Sequence, residues 1–77
     1  MRDLVELLVR ALVDQPDMVS VHEVEDGDVL TVELRVAPDD VGKVIGKQGR
    51  TIKALRTLLH AASIKSQKRV QLEIIEE

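Results

Sequence analysis

Between residues 44 and 52 the chain reads Val44-Ile45-Gly46-Lys47-Gln48-Gly49-Arg50-Thr51-Ile52, two apolar residues running into a Gly-x-x-Gly turn with an apolar position three residues beyond it. Glycine adopts left-handed backbone angles and has no side chain to block close approach, so two glycines three apart suit a tight loop pressed against another molecule's backbone. Lys47 adds a charge and Gln48 an amide. The flanking valine and isoleucines have the spacing of helix residues packed beneath the loop, which predicts a rigid joint between two short helices. A phosphate-carrying ligand fits that chemistry.

Other phosphate loops fail on spacing. Gly42 and Gly46-Lys47 are separated by three residues where a P-loop has four, and Gln48 stands where a Ser or Thr should meet magnesium. The G-x-G-x-x-G dinucleotide fingerprint is absent, as is a strand directly before it. Gly42-x-x-x-Gly46 is no membrane motif, because charges surround it. No catalytic constellation emerges either: the acids lie away from the glycine turn in sequence, and His22 and His60 have no evident triad or metal partner. The chain has no cysteine, which excludes disulfides and thiolate metal sites. The expectation is a non-enzymatic protein with no metal and no cofactor.

The 77 residues make one domain, 1–77, able to bury about 60% of its unfolded surface. With 44% hydrophobic and 32% charged residues, the composition is that of a soluble globule. No apolar run approaches the roughly 20 residues of a membrane span. The first ten residues carry acids and lack a signal-peptide cleavage pattern, so a cytoplasmic location is expected. A net charge of -3 argues at first against nucleic acid, but its distribution reverses that. Residues 41–72 hold eight basic residues (Lys43, Lys47, Arg50, Lys53, Arg56, Lys65, Lys68, Arg69) and no acid, whereas all fourteen acids lie before or after. Local potential steers ligands even where total charge is negative. The glycine turn therefore sits in the one positive region, unless that region is merely a solvated basic helix face.

Residues 3–14 read as a helix, with Asp3, Glu6, Arg10 and Asp14 on one side and Leu4, Leu7, Leu8, Ala11 and Leu12 on the other. Val5, Val9 and Val13 widen the apolar arc and hint at a second packing partner. Gln15-Pro16-Asp17 ends the helix. Residues 18–25 form a strand that stops at Asp26-Gly27, read as the centre of a tight hairpin turn with positive φ at both residues. In residues 29–36, Leu30, Val32, Leu34 and Val36 alternate with Thr31, Glu33 and Arg35. After Ala37-Pro38, Asp39 or Asp40 is expected to cap a short helix running to Ile45. Beyond the turn a longer helix covers residues 50–63, with Ile52, Leu55, Leu59 and Ala62 inward. Residues 66–68 form a loop, and residues 70–75 a last strand in which Val70, Leu72 and Ile74 share a face. Two strands joined through helices are expected to be parallel. An α+β domain of order α-β-β-α-α-β follows, a three-stranded mixed sheet with three helices on one face.

Val44-Ile45-Gly46-Lys47-Gln48-Gly49-Arg50-Thr51-Ile52 resembles the V-I-G-x-x-G-x-x-I signature of K-homology (KH) domains, and the surrounding strand-helix-turn-helix-strand order matches as well. The leading helix and strand resemble the type II arrangement, and the match covers nearly the whole chain. A free-standing domain of this length is most similar to the small bacterial KhpA-type RNA-binding family. That resemblance implies an RNA chaperone or post-transcriptional regulator, with homodimers and a second KH protein of the KhpB (Jag) type as partners. It also implies control of cell elongation and envelope synthesis.

RNA-recognition motifs and cold-shock folds stack bases on aromatic rings, and this chain has no Phe, Tyr or Trp. A KH groove instead clamps about four nucleotides of a single strand with its glycine loop. In that mechanism the N–H groups of Gly46 to Gly49, at the start of the Arg50 helix, meet the phosphates. Lys47 and Gln48 touch the RNA backbone, and Lys43, Arg50 and Lys53 add flanking charge. Val44, Ile45 and Ile52 shape the floor, with core packing as their other role. Arg35 and Arg69 are candidates for the far side. Ala54, Leu58 and Ala61, off the inward stripe, offer a dimer surface. The alternative is a KH fold kept as a protein-pairing module with little RNA binding of its own.

Overall fold

A computed structural model describes residues 2–75, so that Met1 and the closing Glu76 and Glu77 lie outside the described residues. The elements follow in the order α1 (Arg2–Leu12), β1 (Ser20–Asp26), β2 (Val29–Arg35), α2 (Val41–Ile45), α3 (Arg50–Ser66) and β3 (Arg69–Ile74). Single 3-10 turns at Pro16–Met18, Pro38–Asp40 and Lys47–Gly49 join them. The central strand is β2, antiparallel to β1 and parallel to β3. The expected α+β arrangement is present, with α1 packed on β1 and α3 on β3.

Alternation along β2 sets the layers. Leu30, Val32 and Leu34 are buried toward the helices, whereas Val29, Thr31, Glu33 and Arg35 are only half-buried on the other face. Register carries the same division to the neighbours, since Val21 lies opposite Leu34 and Leu72 beside Val32. Onto this surface the helices set Val5, Val9, Val44, Ile52, Leu55 and Leu59, which complete the core. Burying each such side chain contributes about 1.5–3 kcal/mol.

Four local readings need correction. Asp26 belongs to β1, paired with Val29, so the two central turn residues are Gly27 and Asp28. Gly27 has φ +59 while Asp28 is not left-handed, the pattern of a type II′ turn in which glycine takes the first central position. Asp40 precedes α2 but makes no capping bond with it; its carboxylate is directed elsewhere. Helix α3 runs one turn past residue 63 and closes at Gln67, whose left-handed backbone (φ +59) lets its N–H donate to the Ser63 carbonyl at 3.0 Å. No glycine or proline marks that end.

The fourth correction concerns α1. Its buried line is Val5 and Val9, while Leu4, Leu7 and Leu12 are exposed, Leu7 by 68%. Arg2 and Asp3 share a depression with His22 and Glu23 of β1, and the Arg2 N–H donates to the Glu23 carboxylate at 2.6 Å. The start of α1 is thus held at the β1 edge, with Val5 and Val9 inward and the leucines at 4, 7 and 12 outward. Val9→Ala should therefore cost about 2 kcal/mol, and Leu7→Ala no more than about 0.5 kcal/mol, in urea denaturation.

Candidate nucleic-acid interface

The glycine turn is built on one peptide geometry. Gly46 ends α2 with its N–H donating to the Gly42 carbonyl at 2.8 Å, and its own angles are φ 77, ψ 172. That combination is open essentially to glycine alone. A Cβ added there would fall 2.2 Å from Thr51 Oγ1 and 2.9 Å from the Thr51 backbone nitrogen. The chain thereby reverses at Gly46 and brings the first turn of α3 directly against the end of α2.

Lys47 is right-handed, Gln48 left-handed (φ 57, ψ 25), and Gly49 left-handed again (φ 73, ψ 15). Successive right- and left-handed residues point their N–H groups into one concavity, a backbone nest suited to an anion. Gly49 N–H is taken by the Gly46 carbonyl at 3.1 Å, and Arg50 N–H by that of Lys47. Lys47 and Gln48 N–H have no acceptor among the described residues and form the open mouth of the nest. Both side chains are exposed. Behind them the positive end of the 17-residue α3 faces the same space.

Charge around the turn is sharper than the count of eight cations suggests. Lys43 is ion-paired with the Asp14 carboxylate just past α1, and Lys68 with Glu25 of β1 at 2.8 Å. The hydrogen bond to Asp14 holds the Lys43 pKa above the ordinary lysine value. A raised lysine pKa means the pair is fully present below the ordinary value and lost only as pH climbs through the raised one, so it is intact at neutral pH. Lys43 and Ile45 also lie about 200° apart around α2, on opposite flanks. Lys47, Arg50, Lys53, Arg56, Lys65 and Arg69 remain without an acidic partner among the described residues; the first four cluster on the turn and the first two turns of α3, and Lys65 and Arg69 stand near its far end.

The expected apolar floor divides. Val44 and Ile52 are buried and serve the core, and Ile45, 37% exposed, presents apolar surface beside the turn. Further along, a depression of about 480 Å³ opens between α3 and β3, lined by Arg56, Leu59, His60 and the stretch Val70 to Glu73. Arg69 N–H donates to Asp28 and Ile75 N–H to Leu34, so odd-numbered residues of β3 bond to β2. In a parallel ladder the peptide groups of the alternate residues, Val70 and Leu72, then point to the open edge beside this depression. Arg56, His60 and Gln71 were not among the residues expected from the sequence. The signal available was the spacing of Lys53, Arg56 and His60, three and four apart on one flank of α3.

Two other candidates stand apart. Arg35 alternates with buried Leu34 and lies on the sheet face away from the helices, beside Ser20, Val36 and Val41. Arg69 starts β3 near the C-terminal end of α3, roughly 25 Å along that helix from the turn. Neither meets the loop.

The two glycines carry unequal demands. A Cβ at Gly49 would find only Ile52 Cγ2 at 3.8 Å, so Gly49→Ala bears the left-handed penalty of about 1–2 kcal/mol. Gly46→Ala adds the collision with Thr51 and should be more damaging by at least about 1 kcal/mol in urea denaturation. Equal losses for the two would contradict this geometry.

Residues 2–74 match the family model described as KhpA/KhpB, KH domain. The "RNA-binding protein KhpA" of Halalkalibacterium halodurans is 58% identical over 76 residues, covering 99% of this chain and 100% of that protein. The protein of the same name from Aquifex aeolicus is 53% identical, covering 99% and 96% respectively. That of Chlamydia trachomatis is 46% identical, covering 100% and 99%. With the glycine turn between two helices on a three-stranded mixed sheet, the chain belongs to the KhpA/KhpB family of KH domains.

Proposed function

We propose that this protein binds single-stranded RNA, clamping about four nucleotides against the Gly46–Gly49 turn. The observation that carries the reading is the backbone nest with its open Lys47 and Gln48 N–H groups, close to four cations that have no acidic partner among the described residues. Phosphates would accept from those N–H groups, with Lys47, Arg50 and Lys53 supplying charge and the positive end of α3 adding to it. Gln48 would hydrogen-bond the RNA backbone, and Ile45 would pack against a ribose or base. Lys43 would join only by exchanging Asp14 for a phosphate, while Val44 and Ile52 act from beneath by holding the turn in place. A base emerging from the turn reaches the α3–β3 depression, which begins roughly 10 Å along the helix. There the open peptide groups of β3 offer donors and acceptors, and Arg56 a planar cation able to stack without any aromatic ring. The chemistry required is binding, as for an RNA chaperone or post-transcriptional regulator.

Replacing Lys47 and Gln48 with Asp tests the reading. Aspartate tolerates the left-handed angles of position 48, so the fold should survive while two negative charges enter the nest. Loss of gel-shift binding with an unchanged circular dichroism spectrum is expected; unchanged affinity would refute the clamp. For the wild type, three or four neutralised phosphates predict a log-log salt slope of about -2 to -3.

Exposed apolar residues favour a second property. Leu58 is 50% exposed on α3, between the exposed Ala54 and Ala61, and their small size permits close helix contact. This surface would pair two copies, or this chain with a KhpB/Jag-type KH protein, so that two weak clamps act together in control of cell elongation and envelope synthesis. Leu58→Glu should leave a monomer by light scattering where the wild type dimerises. A wild type that stays monomeric at high concentration would remove the homodimer.

A further inference from the structure

Asp40 is the one buried carboxylate among the described residues, 1% exposed, and nothing in the RNA clamp uses it. One carboxylate oxygen accepts the Asp14 N–H at 3.2 Å and the other the Gln15 N–H at 3.0 Å. Those donors lie 26 and 25 residues away, in the segment that follows α1. The expected role of capping α2 is given up for this contact. One turn further on, Lys43 of α2 returns to the Asp14 carboxylate, so that residue is held at its backbone by Asp40 and at its side chain by Lys43. Desolvating a carboxylate is unfavourable unless it is paired, and two N–H groups on its two oxygens meet that need.

The consequence falls on the turn. Helix α2 has five residues, too few to keep a direction of its own, because isolated helices below about 12–15 residues are marginal. Its neighbours orient it: Val44 in the core, the packing of α2 on α3, the Lys43–Asp14 pair, and the Asp40 strap at its beginning. Its last hydrogen bond, Gly46 N–H to Gly42, passes that orientation into the strained peptide. We propose that Asp40 is a positioning residue for the RNA-binding turn, strapping the start of α2 to the segment after α1 so that the Gly46–Gly49 nest is held in its binding shape. The proposal rests on the RNA reading above for its effect on affinity, though not for its effect on the turn.

Asp40→Asn keeps the shape of the side chain but turns one acceptor into an amide donor facing an N–H group. If the nest then occupies its binding shape one-tenth as often, affinity for a labelled random-sequence single-stranded RNA falls about tenfold, at a temperature where the variant is folded. In amide hydrogen exchange the Gly46 and Gly49 N–H groups should lose protection while those of β2 keep theirs. Val9→Ala, away from the strap and also destabilising, should retain wild-type RNA affinity and turn protection. Should Asp40→Asn not fold, the wild type decides: RNA saturation should raise the protection of the Asp14 and Gln15 amides together with that of the turn, because coupling is reciprocal. Wild-type turn protection in Asp40→Asn, equal losses in Val9→Ala, or Asp14 and Gln15 amides indifferent to RNA would each overturn the proposal. A wild type that binds no RNA would instead refute the clamp, and the exchange comparison between Asp40→Asn and Val9→Ala would still judge the strap.

Discussion

The peptide at Gly46 is the constraint on which the rest of the structure turns. With φ 77 and ψ 172 the chain doubles back so closely that Thr51 occupies the space a side chain would need. Such a conformation costs energy and persists only where the surroundings over-determine it. Here they do so from three directions. Val44 on α2 and Ile52 on α3 are buried in the same core on either side of the turn. Asp40 ties down the start of α2, and the sheet beneath supplies a flat apolar floor from Leu34, Val32 and Leu72. A three-stranded sheet with three helices is a small structure, and much of it serves to keep one peptide in a conformation that only glycine allows.

Most of this architecture was legible from residue pattern because each element satisfies its local and tertiary demands together. Alternation in β2 is strict since one face is buried and the other is not, and a slip of one residue would reverse it. The glycine spacing named the turn for the same reason: no other residue solves that geometry. What escaped was rotation and range. The apolar arc of α1 is wide enough that Leu4 and Leu7 looked as good a core stripe as Val5 and Val9, and of the expected leucines Leu8 does pack against the core. The face that packs is settled by tertiary contacts, Val5 and Val9 in the core, which no periodicity contains. Asp40 looked like a helix cap because caps are local, yet its partners come from the far end of α1. Gln67 ends α3 without a glycine to announce it.

The site was legible in its centre and less so at its margins, and charge pairing explains the difference. Eight cations in an acid-free stretch look equivalent along the chain. Folding brings the acid-rich N-terminal half against part of that stretch, and Asp14 and Glu25 neutralise Lys43 and Lys68. Of the six cations left without an acidic partner among the described residues, four stand on the turn and the first half of α3 and two, Lys65 and Arg69, near its far end, so positive charge is weighted toward the turn. Exposed ion pairs of this kind contribute little to stability, about 0–1 kcal/mol each. Their larger effect is on where an approaching polyanion finds unmatched charge.

The same concentration resolves the apparent conflict between a net charge of -3 and a polyanionic ligand. Screening limits exposed charges to about 8–10 Å at physiological salt, so a phosphate at the nest responds to Lys47, Arg50 and Lys53 and little to acids on distant strands. Five of the fourteen, Glu23, Glu25, Asp26, Asp28 and Glu33, lie on β1, its hairpin and β2. They would disfavour a polyanion at the edge of β1, the sheet's other outer strand. The two edges of the sheet differ in character: β1 carries Glu23, Glu25 and Asp26, whereas β3 carries one acid, Glu73, and borders Arg56 and His60 across a depression with Leu59, Val70 and Leu72 in its lining. With no aromatic ring to add stacking energy, RNA recognition at such a site would have to rest on charge, apolar packing and hydrogen bonds.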